Sequence, residues 1–317
     1  MADKKTILIA GGVGFIGSNL ALRLLSEGNE VIVVDNLITG SLANLKILEK
    51  QKDFKFIRHD IIKPLGGAAV KFQIDQIYNC ACPASPVDFA KYPMEIIWVN
   101  ILGVKNLLEL ARFKKARFLQ TSTSEVYGEP LEHPQRESYR GNVSTTGPRG
   151  CYDESKRLAE TLMINYQKKF NLITRVARIF NTYGARMRAN DGRVIPNFVN
   201  QALKHQPITV YGDGSQTRSF CYIDDLVEGL IKLMNSKYQN GPINLGNPDE
   251  HTILELAGKI IELTNSESKI IHKDLPQDDP SKRRPDISLA QKVLKWSPKV
   301  SLEEGLSKTI EYFRAAF

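Results

Sequence analysis

Residues 11–18 read GGVGFIGS, and their setting decides the fold. The apolar run KTILIA (5–10) precedes them and an amphipathic stretch (15–27) follows, so the loop joins a strand to a helix. Gly11 suits the tight turn. Gly14 lets backbone approach a pyrophosphate, and Gly17 lets the helix press against the strand. Amides at the helix start, around Phe15 and Ile16, then face an anion. The next apolar run, EVIVVD (30–35), ends on Asp35, 18 residues after Gly17. An acid there grips both ribose hydroxyls of NAD and repels the extra phosphate of NADP. DNLITG (35–40) adds Asn36, Thr39 and Gly40 for the adenosine end. Asp60, closing the third strand region, stands either near the adenine or in an exposed turn.

Working outward, further apolar runs lie at 54–57, 74–79, 116–121 and 172–179, with helical patterns over roughly 94–113 and 153–170. Continuous apolarity suits strands covered on both faces, and alternation with helices implies a parallel sheet. The fold class predicted is α/β, a Rossmann-type doubly wound parallel sheet with a smaller C-terminal α/β substrate lobe. Residues 181–193 are polar and loop-like. Beyond them come helical patterns at 195–204, 224–235, 252–264 and 301–314, with short strands near 208–211 and 242–245. The division expected is 1–180 plus about 221–247 for the dinucleotide domain, and about 181–220 plus 248–317 for the second lobe.

Of 317 residues, 43 are Lys or Arg and 35 Asp or Glu, a net charge of +8, and the basic residues are scattered apart from KRR at 282–284. That pattern predicts a small anionic ligand, no nucleic-acid partner and no metal. No apolar stretch is long enough for a leader or a membrane span, so a soluble, cytoplasmic protein is expected. Cys80, Cys82, Cys151 and Cys221 lack zinc or redox spacing and read as reduced, packed thiols.

The chemistry-bearing stretches are TSTSEVYG (121–128) and CYDESK (151–156). Tyr152 and Lys156, four apart, share a helix face. Free tyrosine titrates near a pKa of about 10, and a neighbouring ammonium is expected to lower that value. Thr123 follows a buried strand at the sheet's carboxyl edge, where its hydroxyl can share a hydrogen bond with a substrate oxygen. Together they suit removal of an alcohol proton while hydride leaves for NAD.

With PASP (83–86), RIFNTYG (178–184), NDGRVIPNF (190–198), GSQTRSF (214–220), NLGNPDEHTILE (244–255) and QDDPSKRRPDI (277–287), these stretches resemble the extended short-chain dehydrogenase/reductases, in the nucleotide-sugar epimerase/dehydratase group. The likeness spans nearly the whole chain. It implies a cofactor held by Gly11, Gly14, Phe15, Ile16, Gly17, Asp35, Asn36, Thr39, Gly40, Asp60, Ile61, Cys82, Thr121, Tyr152, Lys156, Thr182 and Arg193. It implies a UDP-sugar near Pro83, Ser85, Asn181, Arg193, Tyr211, Arg218 and Arg283 or Arg284. Cys82, Ala185 and Val13 depart from the usual Ser, Pro and Ala of the group.

Within the group, Thr123-Ser124-Glu125 is similar to the branch that decarboxylates UDP-glucuronate to UDP-xylose. The 4,6-dehydratases carry Asp where Ser124 stands, and the 4-epimerases usually lack the Glu. The resemblance gives Ser124, Glu125 and Arg218 the second stage of the reaction. Arg218 then binds the carboxylate, steadies the enolate or assists protonation; as an alternative it is an ion pair between lobes. Two rival readings are a UDP-hexose or UDP-uronate 4-epimerase and a non-catalytic dinucleotide sensor. The group also commonly forms homodimers through helices like those at 94–113 and 153–170, although those apolar faces could equally be internal.

Overall fold

The computed structural model describes residues 4–67, 71–275 and 282–315. In chain order the strands are β1 (Thr6–Ala10), β2 (Glu30–Asp35), β3 (Phe54–Arg58), β4 (Gln76–Asn79), β5 (Arg117–Thr123), β6 (Thr174–Ile179), β7 (Thr182–Tyr183), β8 (Ile208–Tyr211), β9 (Thr217–Ser219), β10 (Cys221–Tyr222), β11 (Pro242–Leu245), β12 (Glu250–Thr252), β13 (Ile270–Lys273) and β14 (Lys282–Arg283). The α-helices are α1 (Phe15–Ser26), α2 (Leu42–Leu48), α3 (Pro86–Lys91), α4 (Pro93–Trp98), α5 (Val104–Lys114), α6 (Gly150–Phe170), α7 (Val194–Leu203), α8 (Ile223–Asn235), α9 (Ile253–Thr264), α10 (Ser288–Leu294) and α11 (Leu302–Arg314).

Seven strands form one sheet in the order β11-β6-β5-β4-β1-β2-β3, with every pairing parallel. The period of two along β1 explains the layers. Ile7 and Ile9 face a core shared with α1 and α8, while Leu8 and Ala10 face one shared with α5 and α6. Both faces are covered, so the strands carry unbroken apolar runs. Chain order reverses between β1 and β4, and ligands bind in the crevice such a reversal opens at the carboxyl ends of strands.

The core beside α1 continues into the second half of the chain through Phe198, Leu256 and Leu306. There β9 lies between antiparallel β12 and parallel β14, and β8 pairs with β13. Residues 242–245 return to the main sheet as β11, against β6. Thr252 and Glu255 cap α9 reciprocally, each side chain taking the other's backbone N–H at 3.1 and 2.8 Å.

The helix expected over 94–113 is broken. Between α4 and α5 runs a π-helical turn, Val99–Gly103. It carries the fully buried Asn100 toward α6, and Gly103 passes so close to Ile61 that a Cβ would lie 2.8 Å from its Cδ1. The two-residue and three-residue strands of the second half have no periodic signal and were not expected.

Candidate active site

The glycine loop is built for close approach. Gly11 sits at φ +72°, where a Cβ would also lie 2.6 Å from the Ala81 Cα. A Cβ on Gly17 would run into the Gly11 carbonyl, whereas one on Gly14 would meet only that oxygen, at 3.3 Å. Gly14 gives α1 no side-chain cap, so its first-turn amides remain available to an anion. Asp35 closes β2 beside them, accepting from the Val13 and Leu37 amides at 3.3 and 2.8 Å. Burial pushes its carboxyl above the usual range, and the Leu37 and Val13 amides oppose that. Asn36 donates to Asp60 at 3.1 Å, which ties Asp60 to the end of β2. Together, the uncapped helix start, the open Gly14 and the buried acid fit a dinucleotide diphosphate and its ribose.

At the carboxyl end of β5, Thr123 caps a 3-10 turn, Ser124–Tyr127, by accepting from the Glu125 amide at 3.2 Å. Tyr152, on the first turn of α6, is hydrogen-bonded through its phenol to Thr123. Phe89 stacks on the tyrosine ring, with centroids 4.9 Å apart. Lys156 lies one turn further, buried, donating to the Thr121 carbonyl at 2.9 Å with its nitrogen 5.6 Å from the tyrosine ring centre. The sequence predicted a lowered phenol pKa, but the structure gives the opposite. Burial drives Tyr152 up, Cys82 adds to the rise, and the bond to Thr123 is the opposing contribution. The Lys156 charge is directed at a carbonyl and does not overcome desolvation.

Asn100 is a site residue that the sequence did not reveal. Its amide donates to Ser155 at 2.9 Å and to the Cys82 sulfur at 3.3 Å, fixing α6 against the loop after β4.

Beyond Thr123, two guanidiniums hold Glu125. Arg149 pairs with one carboxylate oxygen and Arg283 with the other at 3.1 Å. Arg283 also donates to Ser124 at 3.3 Å and to the Gly128 carbonyl at 3.0 Å, and it is 1% exposed. Burial opposes ionisation of Glu125, but Arg283 and Arg149, with Arg218 beyond them, outweigh it and hold the carboxyl below its usual range. Asp153 has the reverse character. Burial and the Glu125 charge push it up to about 7.

The profile of the GDP-mannose 4,6 dehydratase family matches residues 8–309. The chain belongs to that family. Among its relatives, UDP-glucuronic acid decarboxylase 1 of Arabidopsis thaliana is 52% identical over 97% of this chain and 69% of its own length. UDP-glucuronic acid decarboxylase 1 of Danio rerio is 51% identical, over 98% of this chain and 73% of its own length. A Bacillus cereus UDP-glucuronic acid 4-epimerase, solved with UDP-glucuronic acid and NAD, superposes with a TM-score of 0.88 at 30% identity, covering 98% of this chain and all of the other. Thermotoga maritima UDP-glucose 4-epimerase with UDP-glucose reaches 0.89 at 29% identity, over 98% and 99% of the two chains.

In this member of the dehydratase family the expected site residues do not all lie together. Arg218 is neighbour to Arg283 across the β9–β14 pairing, but Arg283 makes the contacts to Ser124 and Glu125. Arg283, one of the two arginines expected near the UDP-sugar, is thus engaged beside Thr123, while the half-exposed Arg284 pairs with Glu250 at 3.7 Å. Ser85 spends its hydroxyl on the Asp191 carbonyl, and Asp191 pairs with Arg193, whose guanidinium lies 5.9 Å from the Phe15 ring centre. These bonds place Arg193 beside the glycine loop. Pro83 is buried, Thr182 bonds the Phe180 carbonyl at 2.9 Å, and Tyr211 is exposed. The backbone carbonyl of Asn181 accepts from Cys221. Thr39 and Gly40 follow β2, Ile61 follows β3, and Thr121 lies in the carboxyl half of β5. The QDDPS portion of the 277–287 stretch lies outside the described residues. Arg149 and Asp153, missed by the sequence reading, flank Tyr152 in PRGCYDE, and two charges beside the tyrosine were the available signal.

Proposed function

We propose that this chain converts UDP-glucuronate to UDP-xylose and carbon dioxide with a recycled NAD. The observation that carries this reading is the Ser124–Glu125–Arg283 contact set directly after the Thr123–Tyr152 pair, in a chain about half identical to UDP-glucuronic acid decarboxylases. Thr123 and Tyr152 hold the sugar's C4 hydroxyl, and Tyr152 takes its proton. NAD, when bound, would supply the hydride acceptor for the oxidation and the hydride for the final reduction. With C4 a ketone, the carboxylate on C5 belongs to a β-keto acid, and its loss leaves an enolate. Arg283, fixed by Ser124 and Glu125, sits where that negative charge gathers. Gly11, Gly14, Phe15, Ile16 and Gly17 would hold the pyrophosphate of NAD, Asp35 its adenosine ribose, and Lys156 and Arg193 its nicotinamide half. Asn181, Tyr211 and Arg218 face the UDP-sugar from a lobe of roughly 181–220 and 248–317, and Pro83 faces it from the loop after β4. Carbon dioxide trapped from UDP-glucuronate labelled at C6 tests the reaction, and label retained in a nucleotide hexuronate would favour a 4-epimerase.

Asp35 also sets cofactor choice. Asp35→Ala is expected to weaken NAD by about 2 kcal/mol, some thirtyfold, and to narrow its preference over NADP. Titration calorimetry on protein stripped of cofactor measures both affinities.

The helices beside the site support a homodimer. Met94, Trp98 and Leu102 lie four residues apart across α4 and the π turn, and Leu158 stands on α6, all 40–52% exposed. Trp98→Arg is expected to give a monomer in light scattering, where the parent is a dimer. The free thiols support a cytoplasmic setting.

A further inference from the structure

We propose that Asp153 carries the solvent proton that ends on the sugar's C5, passing it inward through Glu125. The inference rests on the reaction proposed above, whose stoichiometry demands such a route. The bond from C5 to the carboxylate breaks, carbon dioxide leaves, and the electron pair spreads over C5, C4 and the C4 oxygen. That pair then forms a C5–H bond. The proton Tyr152 removed from the C4 hydroxyl returns to the same oxygen at the final reduction, so each turnover consumes one proton from water.

The structure offers a path for it. A cavity of about 160 Å³ has exposed Glu129 and Asn142 on its rim and Glu125, Arg149, Asp153 and Arg283 among its lining. Asp153 is 5% exposed, and its Oδ1 is buried without a hydrogen-bond partner. A buried carboxyl oxygen left without a partner costs stability, and such exceptions call for an explanation. Glu125, gripped by two guanidiniums, keeps a proton poorly but can relay one. Asp153 faces the charges of Glu125, Arg149, Arg283 and Glu154, and burial with the Glu125 charge favours its protonated form. It therefore stores what Glu125 cannot. The proton passes from Asp153 to Glu125 to C5, and water restores it to Asp153. Asp153 does not touch the sugar and acts as a positioning residue for the proton.

The test uses the purified holoenzyme and its Asp153→Asn variant, mixed with UDP-glucuronate. Cofactor reduction at 340 nm, carbon dioxide release and UDP-xylose are followed together. In the variant, one turnover of reduction and gas release per bound cofactor is expected to persist, while UDP-xylose formation falls by about a hundredfold. Reduced cofactor then accumulates. The parent is expected to lose activity as pH rises through about 7, and the variant to lack that limb. Asp153→Glu should restore part of the rate. Since a carboxyl raised in the folded state favours folding as pH falls, Asp153→Asn should melt no lower than the parent above pH 7. A variant with the parent's rate and pH profile overturns the inference. So does one whose cofactor reduction falls in step with product. A parent that releases no carbon dioxide overturns the reaction itself.

Discussion

Tyr152→Phe is expected to lower UDP-xylose formation by about a thousandfold while leaving the fold intact. The phenylalanine ring keeps the stack on Phe89, so packing changes little. What disappears is the hydroxyl bonded to Thr123, the proposed acceptor of the C4 proton. In the absence of ligand that phenol is a weak acid, raised by burial. Its activation therefore has to come from positive charge brought beside it, with Lys156 held in reserve at the Thr121 carbonyl. Steady-state assay with UDP-glucuronate, alongside a melting curve, separates lost chemistry from lost stability. A variant within tenfold of the parent would remove the tyrosine from the mechanism.

Arg283→Met carries a double effect. The guanidinium is almost wholly buried and bonds Ser124, Glu125 and the Gly128 carbonyl. Removing one partner of a buried pair costs about 3 kcal/mol, moderated here because Arg149 still holds the other oxygen of Glu125. The catalytic loss should be larger, on the order of a thousandfold, because the charge proposed to face the enolate is gone. Arg218→Met, one strand away, should cost less than Arg283→Met. Both variants are compared by kcat and by urea midpoint; equal losses for the two would give Arg218 as large a part as Arg283.

Much of the sheet was legible because its strands are covered on both sides. EVIVVD has no polar interruption, and four of its residues are fully buried. The glycine loop was legible because each glycine meets a separate steric demand. The i, i+4 rule placed Tyr152 and Lys156 together, since α6 is regular. Legibility ended where contacts depend on distant pairing. Arg283 reaches Glu125 only because the two-residue β14 joins β9, which no local pattern announces. Arg283 and Arg284 are adjacent in sequence, yet one is buried at the reaction end and the other pairs with Glu250 near the surface. Asn100 was hidden because a π turn preserves the look of a continuous helix while rotating the side chains that follow it.

The most direct test is proton NMR of the nucleotide sugar formed when the purified protein meets UDP-glucuronate in deuterated water without added NAD. The predicted product is UDP-xylose with one deuterium at C5. Recovery of a six-carbon UDP-uronate, unchanged or inverted at C4, would contradict the account.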